Sequence, residues 1–293
     1  MNYKFFCKNL NEIIYNKSYT NNIKIKKWNH LKKKINNSKS HPVTIQRVLN
    51  IVEKFLSNKK NIRILDHGCG GCFTIFYLHA LNFQNLIGID VGGEQKEINN
   101  FFYLISKKKN NKKIIYNGKK IPLKNKYFDF IFSQQVLEHI PFDKFKDFIK
   151  EEKRVLKSNG IVYHQIPHKL VPYESHLRIW FLHWLPKNIF AHLCKLLGKN
   201  YIFIKKHLWL QFPWIYYFYL NKYIGTTSNL SFQRIKLFNN ENLELSGIGF
   251  FIRKFASIIW KIPIIGNILS KLISHFIMLE TISFNNQNYK VIK

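Results

Sequence analysis

Arginine is scarce in this chain of 293 residues: Arg47, Arg63, Arg154, Arg178, Arg234 and Arg253 are the only six among 47 basic side chains. Acids are scarce too, 16 in all, so the formal net charge is +31. A surface built to read phosphates favours the planar fork of Arg over the point charge of Lys. Its scarcity argues against a specific nucleic-acid partner. The excess of Lys, Asn, Ile, Phe and Tyr is what AT-rich codons impose, and weak contact with an anionic membrane stays open. Four cysteines (Cys7, Cys69, Cys72 and Cys194) are too few for a disulfide framework at this length. Cys69-Gly70-Gly71-Cys72 has half the spacing of a zinc site, but no second Cys or His pair completes it, so both thiols are expected as small residues in a tight turn. No uncharged apolar run reaches the ~18 residues of a membrane span. The stretch 208–220 is short, and 248–277 is interrupted by Arg253, Lys254, Lys261 and Lys271. The N-terminus lacks the continuous apolar core of a secretory signal, and a reduced, cytoplasmic setting is expected.

What is present suffices for a sizeable core, at 46% hydrophobic residues. Residues 1–42 read as a basic, polar and partly helical lead-in. His41-Pro42 opens an apolar helical period (Val43 to Leu56). Strand and helix patterns then alternate to residue 166, as in a parallel sheet covered on both faces. The spacing predicts strands at 62–66, 85–90, 113–117, 128–133 and 160–166, helices over 94–107 and 143–156, and a turn at Ser158-Asn159-Gly160. Residues 167–235, rich in Trp, His, Phe and Pro, read as a helical lid without a clear strand. Residues 236–293 are expected to complete the sheet. They include a helix over 237–246, a strand start at 249–252, apolar helices over 256–277 broken at 263–266, and a last strand at 289–293. Core packing is the expectation for the terminal helices. The competing reading lays 260–265 and 271–273 against the inner membrane face, with lysines toward anionic headgroups.

The run Ile62-Arg63-Ile64-Leu65-Asp66-His67-Gly68-Cys69-Gly70-Gly71 carries the chemistry. A buried strand ending in an acid and a glycine turn, followed at once by a helix, makes a nucleotide cradle: glycines admit close approach, and free helix amides point at the ligand. Such a turn alone suits an NAD(P)-dependent oxidoreductase as well. The dinucleotide pattern, however, needs glycine where Phe73 stands.

Three further features follow in order: Ile87-Gly88-Ile89-Asp90; Asn117-Gly118 through Leu123 with Phe128-Asp129 beyond; and Val136-Leu137-Glu138-His139, followed by Leu156 to Gly160. Together they resemble the class I S-adenosylmethionine-dependent methyltransferases of the small-molecule, type 11-like branch, over about residues 45–166. The resemblance implies an α/β, doubly wound, mostly parallel seven-stranded sheet and S-adenosylmethionine as cofactor. It also implies that Gly68, Cys69, Gly70 and Gly71 wrap the methionine and ribose, Asp66 reaches the amino group and Asp90 takes the ribose hydroxyls. Asn117 and Gly118 would contact adenine, and Ser133 and Gln134 the methyl side. Residues 247–252 resemble the family's later Gly-Phe strand. The chain departs in having Cys72 after Gly71, and Asn159 and Ile161 around Gly160.

Some O-methyltransferases of ubiquinone synthesis and of small RNAs hold a metal with Glu-x-x-Glu-His. Here Gln135 replaces the first Glu, and a neutral amide is a poor cation ligand, so no metal ligand is assigned. On the acceptor side, Glu174 and His176, in a segment that leaves the carboxyl end of strand five, are the candidate base pair, and His139 is a further catalytic candidate. The acceptor is expected to be a small molecule, a sugar or a lipid-linked compound. The remaining alternative is a non-catalytic basic protein that binds nucleic acid or membrane.

Overall fold

The computed structural model describes residues 2–56, 60–106, 112–237, 248–263 and 265–285. The chain opens with α1 (Tyr3–Tyr15), α2 (Asn21–Asn36) and α3 (Val43–Leu56). The nucleotide-cradle pattern becomes β1 (Arg63–His67), α4 (Phe73–Ala80), β2 (Asn85–Asp90), α5 (Lys96–Ser106) and β3 (Lys112–Ile115). Then come β4 (Phe128–Gln134), α6 (Phe142–Val155) and β5 (Leu156–Ile166). The aromatic segment holds a small hairpin of β6 (Tyr173–Glu174) and β7 (Ile179–Trp180), then α7 (Lys187–Leu196), α8 (Tyr201–His207), α9 (Pro213–Tyr223) and β8 (Thr226–Asn229). The described chain closes with α10 (Ser231–Leu237), α11 (Ile248–Trp260), α12 (Ile265–Ser274) and β9 (Leu279–Phe284).

Seven strands form one sheet in the order β3-β2-β1-β4-β5-β9-β8. β1 runs parallel to β2 and β4, and β2 parallel to β3. β9 lies antiparallel between β5 and β8. The sheet is mostly parallel and flanked by helices, so the expected fold class is the observed one. Its inner strands are apolar without alternation (Ile64-Leu65, Leu86-Ile87, Phe130-Ile131-Phe132), as burial on both faces demands.

The described residues fall into two compact units. In the first, which takes in residues up to 132 and 155–160, the N-terminal helices carry core. Phe6, Leu10, Trp28, Leu31 and Ile35 are buried, and the Trp28 ring meets Phe76 of α4 at 6.0 Å and Phe101 of α5 at 5.9 Å. The segment read as a polar lead-in is therefore two amphipathic helices whose sparse apolar residues share one face. In the second unit, Leu177, Ile179, Phe190, Ala191, Cys194, Ile204 and Leu208 form a core of their own.

The sequence reading misses at several points. Residues 249–252 begin α11 rather than a strand. The local Phe-Phe-Ile run favours β, but the apolar period through Trp260 is helical and prevails. The antiparallel strand instead occupies 279–284, where Thr281 and Ser283 are buried and Ser283 Oγ lies 2.8 Å from Thr227 Oγ1 of β8. β8 lies inside the stretch read as strandless. The turn at 158–160 is part of β5, although the chain bends tightly there, since a Cβ at Gly160 would lie 3.0 Å from the Lys157 carbonyl. The terminal helices expected as core expose their large apolar residues. The strand at 289–293 and all but the first residue of the helix expected over 237–246 lie outside the described residues.

Candidate functional site

The nucleotide cradle is built within the first unit. Asp66 ends the buried run of β1, and the chain turns at Gly68 (φ 88°) and Gly70 (φ 49°), left-handed conformations that glycine adopts without strain. A Cβ added at Gly70 would meet nothing within 4 Å, so the turn faces open space; one at Gly71 would strike the Phe73 ring at 2.7 Å. The turn packs onto β2 because residue 88 has no side chain. A Cβ there would lie 2.7 Å from Cys69 Sγ and 2.9 Å from Cys72 Sγ. Both thiols are free and buried, 3.4 Å apart, and they fill this space as the small residues expected.

Asp90, at the end of β2, binds the same turn. Its Oδ2 accepts from the Gly70 amide at 2.7 Å, and its Oδ1 from the amides of Val91 (2.7 Å) and Gly92 (3.3 Å). Burial, and then the charge of Asp90, push the Asp66 carboxyl well above the usual carboxylate range. Two acids at one turn form a site whose electrostatics improve when a cation arrives. Asn117 Oδ1 accepts from the amides of Lys119 (3.0 Å) and Lys120 (3.4 Å), and Gly118 follows at φ 72°. Ser133 and Gln134 close β4. Ser133 is buried, with no hydrogen-bond partner for its hydroxyl among the described residues.

Two side chains of this unit were not foreseen. Lys113 of β3 is buried, and its Nζ donates to the Gly70 carbonyl at 2.7 Å. Its place in a short strand beside Ile114 and Ile115 was the one signal available. Tyr3 of α1 bonds Thr74 Oγ1 at 3.2 Å; burial, then the charges of Cys7 and Asp66, raise its phenol pKa against the lowering effect of the Thr74 bond. Only the helical period of α1 could have brought Tyr3 to the cradle.

In the second unit the structure brings the three acceptor-side candidates together. Glu174 of β6 accepts at Oε1 from the His176 amide (3.1 Å) and from His176 Nδ1 (2.6 Å), and at Oε2 from the Leu177 amide (2.7 Å). Burial raises its pKa, but the bonds from His176 and from the two amides outweigh it, and the net shift is downward. An ionised carboxylate only accepts, so Nδ1 of His176 carries a proton, and in the neutral tautomer that this selects, the bare nitrogen is Nε2. His139 is held alike: its Nδ1 donates to the His207 carbonyl at 2.6 Å, and burial lowers its pKa. The two imidazoles cross at 5.0 Å and 80°.

Glu138, which precedes His139 in the chain, is fully buried, with no hydrogen-bond partner for either oxygen among the described residues. Burial pushes its pKa up to about 8, and its Oε1 lies 3.7 Å from His139 Nε2. One ligand atom from each of Glu138, His139 and His176 falls within 4.8 Å of the others. The sequence does not foresee this meeting, because His176 comes from a different element.

A cavity of about 220 Å³ adjoins this cluster through α8, where Ile204 lines it while the neighbouring Phe203 ring packs 5.2 Å from His176. Phe190 and Leu208 give it an apolar wall. Lys169 and Lys187 also line it, and no acid does. Burial lowers Lys187 to about 8, and its Nζ sits 3.0 Å from the centre of the Trp209 ring.

Residues 65–164 match the methyltransferase-domain family. The chain is similar to a ubiquinone biosynthesis O-methyltransferase of Pelagibacter ubique, 29% identical over 182 residues, which are 59% of this chain and 66% of that protein. It is also similar to an uncharacterised protein of Methanocaldococcus jannaschii, 30% identical over 112 residues, 38% of this chain and 44% of that one. The chain thus spans less than two thirds of the length of each. Among solved structures it resembles Haemonchus contortus phosphoethanolamine N-methyltransferase 2 in complex with phosphomonomethylethanolamine and S-adenosylhomocysteine, at 13% identity, a TM-score of 0.49, and coverage of 95% of this chain and 61% of that one.

Proposed function

We propose that this chain, whose residues 65–164 match the methyltransferase-domain family, is a class I S-adenosylmethionine-dependent methyltransferase that methylates a small-molecule acceptor deprotonated by His176. S-adenosylmethionine supplies, when bound, a methyl group already activated on a sulfonium. The cradle fits it: Gly70 fronts open space, and Asp66 with Asp90 form a doubly acidic turn suited to a cationic ligand. Gly68, Cys69, Gly70 and Gly71 would follow its methionine and ribose, with Asp66 toward the amino group and Asp90 toward the ribose hydroxyls. Asn117 and Gly118 would take the adenine, and Ser133 and Gln134 the methyl side.

The observation that carries the acceptor chemistry is the 2.6 Å bond from His176 to Glu174. It fixes the tautomer and aims Nε2 as the base, while ionised Glu174 stabilises the imidazolium that forms. His139 lies beside it as a second neutral imidazole. The mixed cavity at α8 supports an acceptor with an apolar body and an anionic group. The similarity to an O-methyltransferase supports oxygen as the methylated atom.

The test is release of S-adenosylhomocysteine with a panel of hydroxylated quinone precursors, phosphorylated small molecules and sugars. His176→Ala should leave cofactor affinity unchanged and cut kcat by roughly 10²–10⁴. Unchanged turnover refutes the assignment.

The unpartnered carboxylate of Glu138 favours a second reading. Glu138, His139 and His176 offer a divalent cation one carboxylate and two bare imidazole nitrogens, each ring oriented by an acceptor on its other nitrogen. Loss of activity on chelation, restored by added Mg²⁺, Mn²⁺ or Zn²⁺, would establish it, and full activity after chelation would end it.

A further inference from the structure

The last two described helices turn their large apolar side chains away from the protein. In α11, Phe251, Phe255 and Ile258 stand at i, i+4 and i+7, and Ile262 in the link continues the row; all four are between 47% and 69% exposed. In α12, Ile265, Ile268, Leu269 and Leu272 repeat at i, i+3, i+4 and i+7, between 37% and 61% exposed. The inward side carries mostly small residues, with Trp260 against Phe232 and Ile273 against Ile235 and Ile277 as the larger contacts. Ser257, Gly266, Ser270 and Ser274 are buried, the last three at intervals of four. A Cβ at Gly266 would lie 2.4 Å from the Ile259 carbonyl, so the two helices meet at backbone distance. Ser257 and Ser274 donate to carbonyls of their own helices, those of Lys254 (2.7 Å) and Lys271 (2.6 Å). Small residues at the helix contact and large apolar ones outside is how helices pack where hydrocarbon is the solvent. In water, so large an outward apolar row marks an interaction surface.

Charge selects the occupant. No Asp or Glu occurs from residue 248 to residue 276, while Lys254, Lys261 and Lys271 are exposed on the same helices and their link. A second copy would bring another chain of net charge +31 against them. An anionic bilayer brings the opposite sign. The Trp184 ring, 6.4 Å from that of Phe276 and part-exposed, extends the face with the side chain most suited to the headgroup level. The helices hold 13 and 10 residues, roughly 20 and 15 Å at ~1.5 Å per residue. They cannot cross a core ~30 Å thick, and no described helix is long and apolar enough to do so.

We infer that α11 and α12 lie in the plane of an anionic phospholipid surface, with the apolar row in the acyl boundary and the lysines among the headgroups. This surface does not rest on the methyl-transfer reading. The test is flotation of the full chain with vesicles of phosphatidylcholine alone or mixed with phosphatidylglycerol. Uptake on mixed vesicles should exceed that on neutral ones by about tenfold or more, and should persist in part at high salt, because apolar insertion is not screened. The double variant Phe255→Ser with Ile268→Ser, checked by circular dichroism, should lose at least about tenfold in uptake. The pair Lys261→Glu with Lys271→Glu, outside the apolar row, should abolish the preference for anionic vesicles while leaving residual binding. The inference falls if the native chain is not taken up, or if the serine variant floats as well as the native chain. It also falls if the serine substitutions merely convert a dimer to a monomer without vesicle uptake.

Discussion

The ammonium of Lys113, buried on β3, donates to the carbonyl of Gly70 across 2.7 Å, so the glycine turn is held from beneath by one charged hydrogen bond. The bond pins the carbonyl of a residue whose own amide donates to Asp90, so both peptide groups flanking the Gly70 Cα are held. Lys113→Met keeps the length and removes the donor. A hydrogen bond to a charged group contributes about 1.5–3 kcal/mol, so cofactor affinity should fall roughly tenfold or more by calorimetry. Thermal stability should hold, because a buried, single-bonded ammonium is costly to keep. An unaltered dissociation constant would show that the turn keeps its shape without Lys113.

Gly70 tests whether the open space in front of the turn is the ligand's. At φ 49° a non-glycine residue costs about 1 kcal/mol, and a Cβ there strikes no protein atom. Gly70→Ala should therefore lower the melting temperature by only ~2–4 °C for a chain this large, while weakening S-adenosylmethionine binding by roughly a hundredfold. Binding that survives the methyl group would move the cofactor elsewhere.

Most of the cradle was legible in the sequence because it is local. Asp66, Gly68, Gly70 and Asp90 stand at the ends of two short apolar strands, and their burial and turn geometry follow from strand length and glycine spacing. The acceptor side was legible only as a list of residue types. Glu174 and His176 are two residues apart, and a turn joins them, but nothing in the sequence places His139 beside His176 or strips Glu138 of partners. Those facts depend on how α8 and the β6–β7 hairpin pack, which is settled by contacts distant in sequence. β9 escaped notice for a similar reason: its Thr and Ser are buried because β5 and β8 pair with its backbone on both sides, so polarity misreports exposure.

Glu174 should matter to catalysis through His176 rather than through contact with the acceptor. Glu174→Gln keeps the size but removes the charge that stabilises the imidazolium and admits the wrong ring tautomer. Turnover should drop by about a hundredfold with little change in acceptor KM, and the alkaline plateau of the rate profile should shift. A variant with a normal kcat would show that the bond serves only to shape the hairpin.

Lys187 lines the cavity at α8 with its ammonium over Trp209 and its pKa lowered to about 8 by burial. If the acceptor carries an anionic group there, Lys187→Met should raise KM for that acceptor about tenfold and leave kcat within a factor of about two, the signature of uniform binding lost. Equal KM values for the two forms would remove the anionic group from the acceptor's description.

Acid should unfold the protein through His168. Its Nε2 donates to the Ile277 carbonyl at 2.8 Å and its Nδ1 accepts from the Leu170 amide at 3.2 Å, so both nitrogens are satisfied only in the neutral ring. Burial lowers its pKa to about 4 against the opposing effect of the Ile277 bond, and His275 and His183 add repulsion. The unfolded value lies near ~6.5, above the folded one, so the unfolded state binds the proton more readily. The stabilisation is complete above about pH 6.5 and is lost as pH falls from there toward about 4, for a total near 3 kcal/mol. His168→Gln can donate and accept at the same places without titrating. Urea unfolding at about pH 7.5 and about pH 4.5 should therefore show the native chain losing ~2–3 kcal/mol more than this variant. Parallel losses in the two proteins would assign the acid sensitivity to other groups.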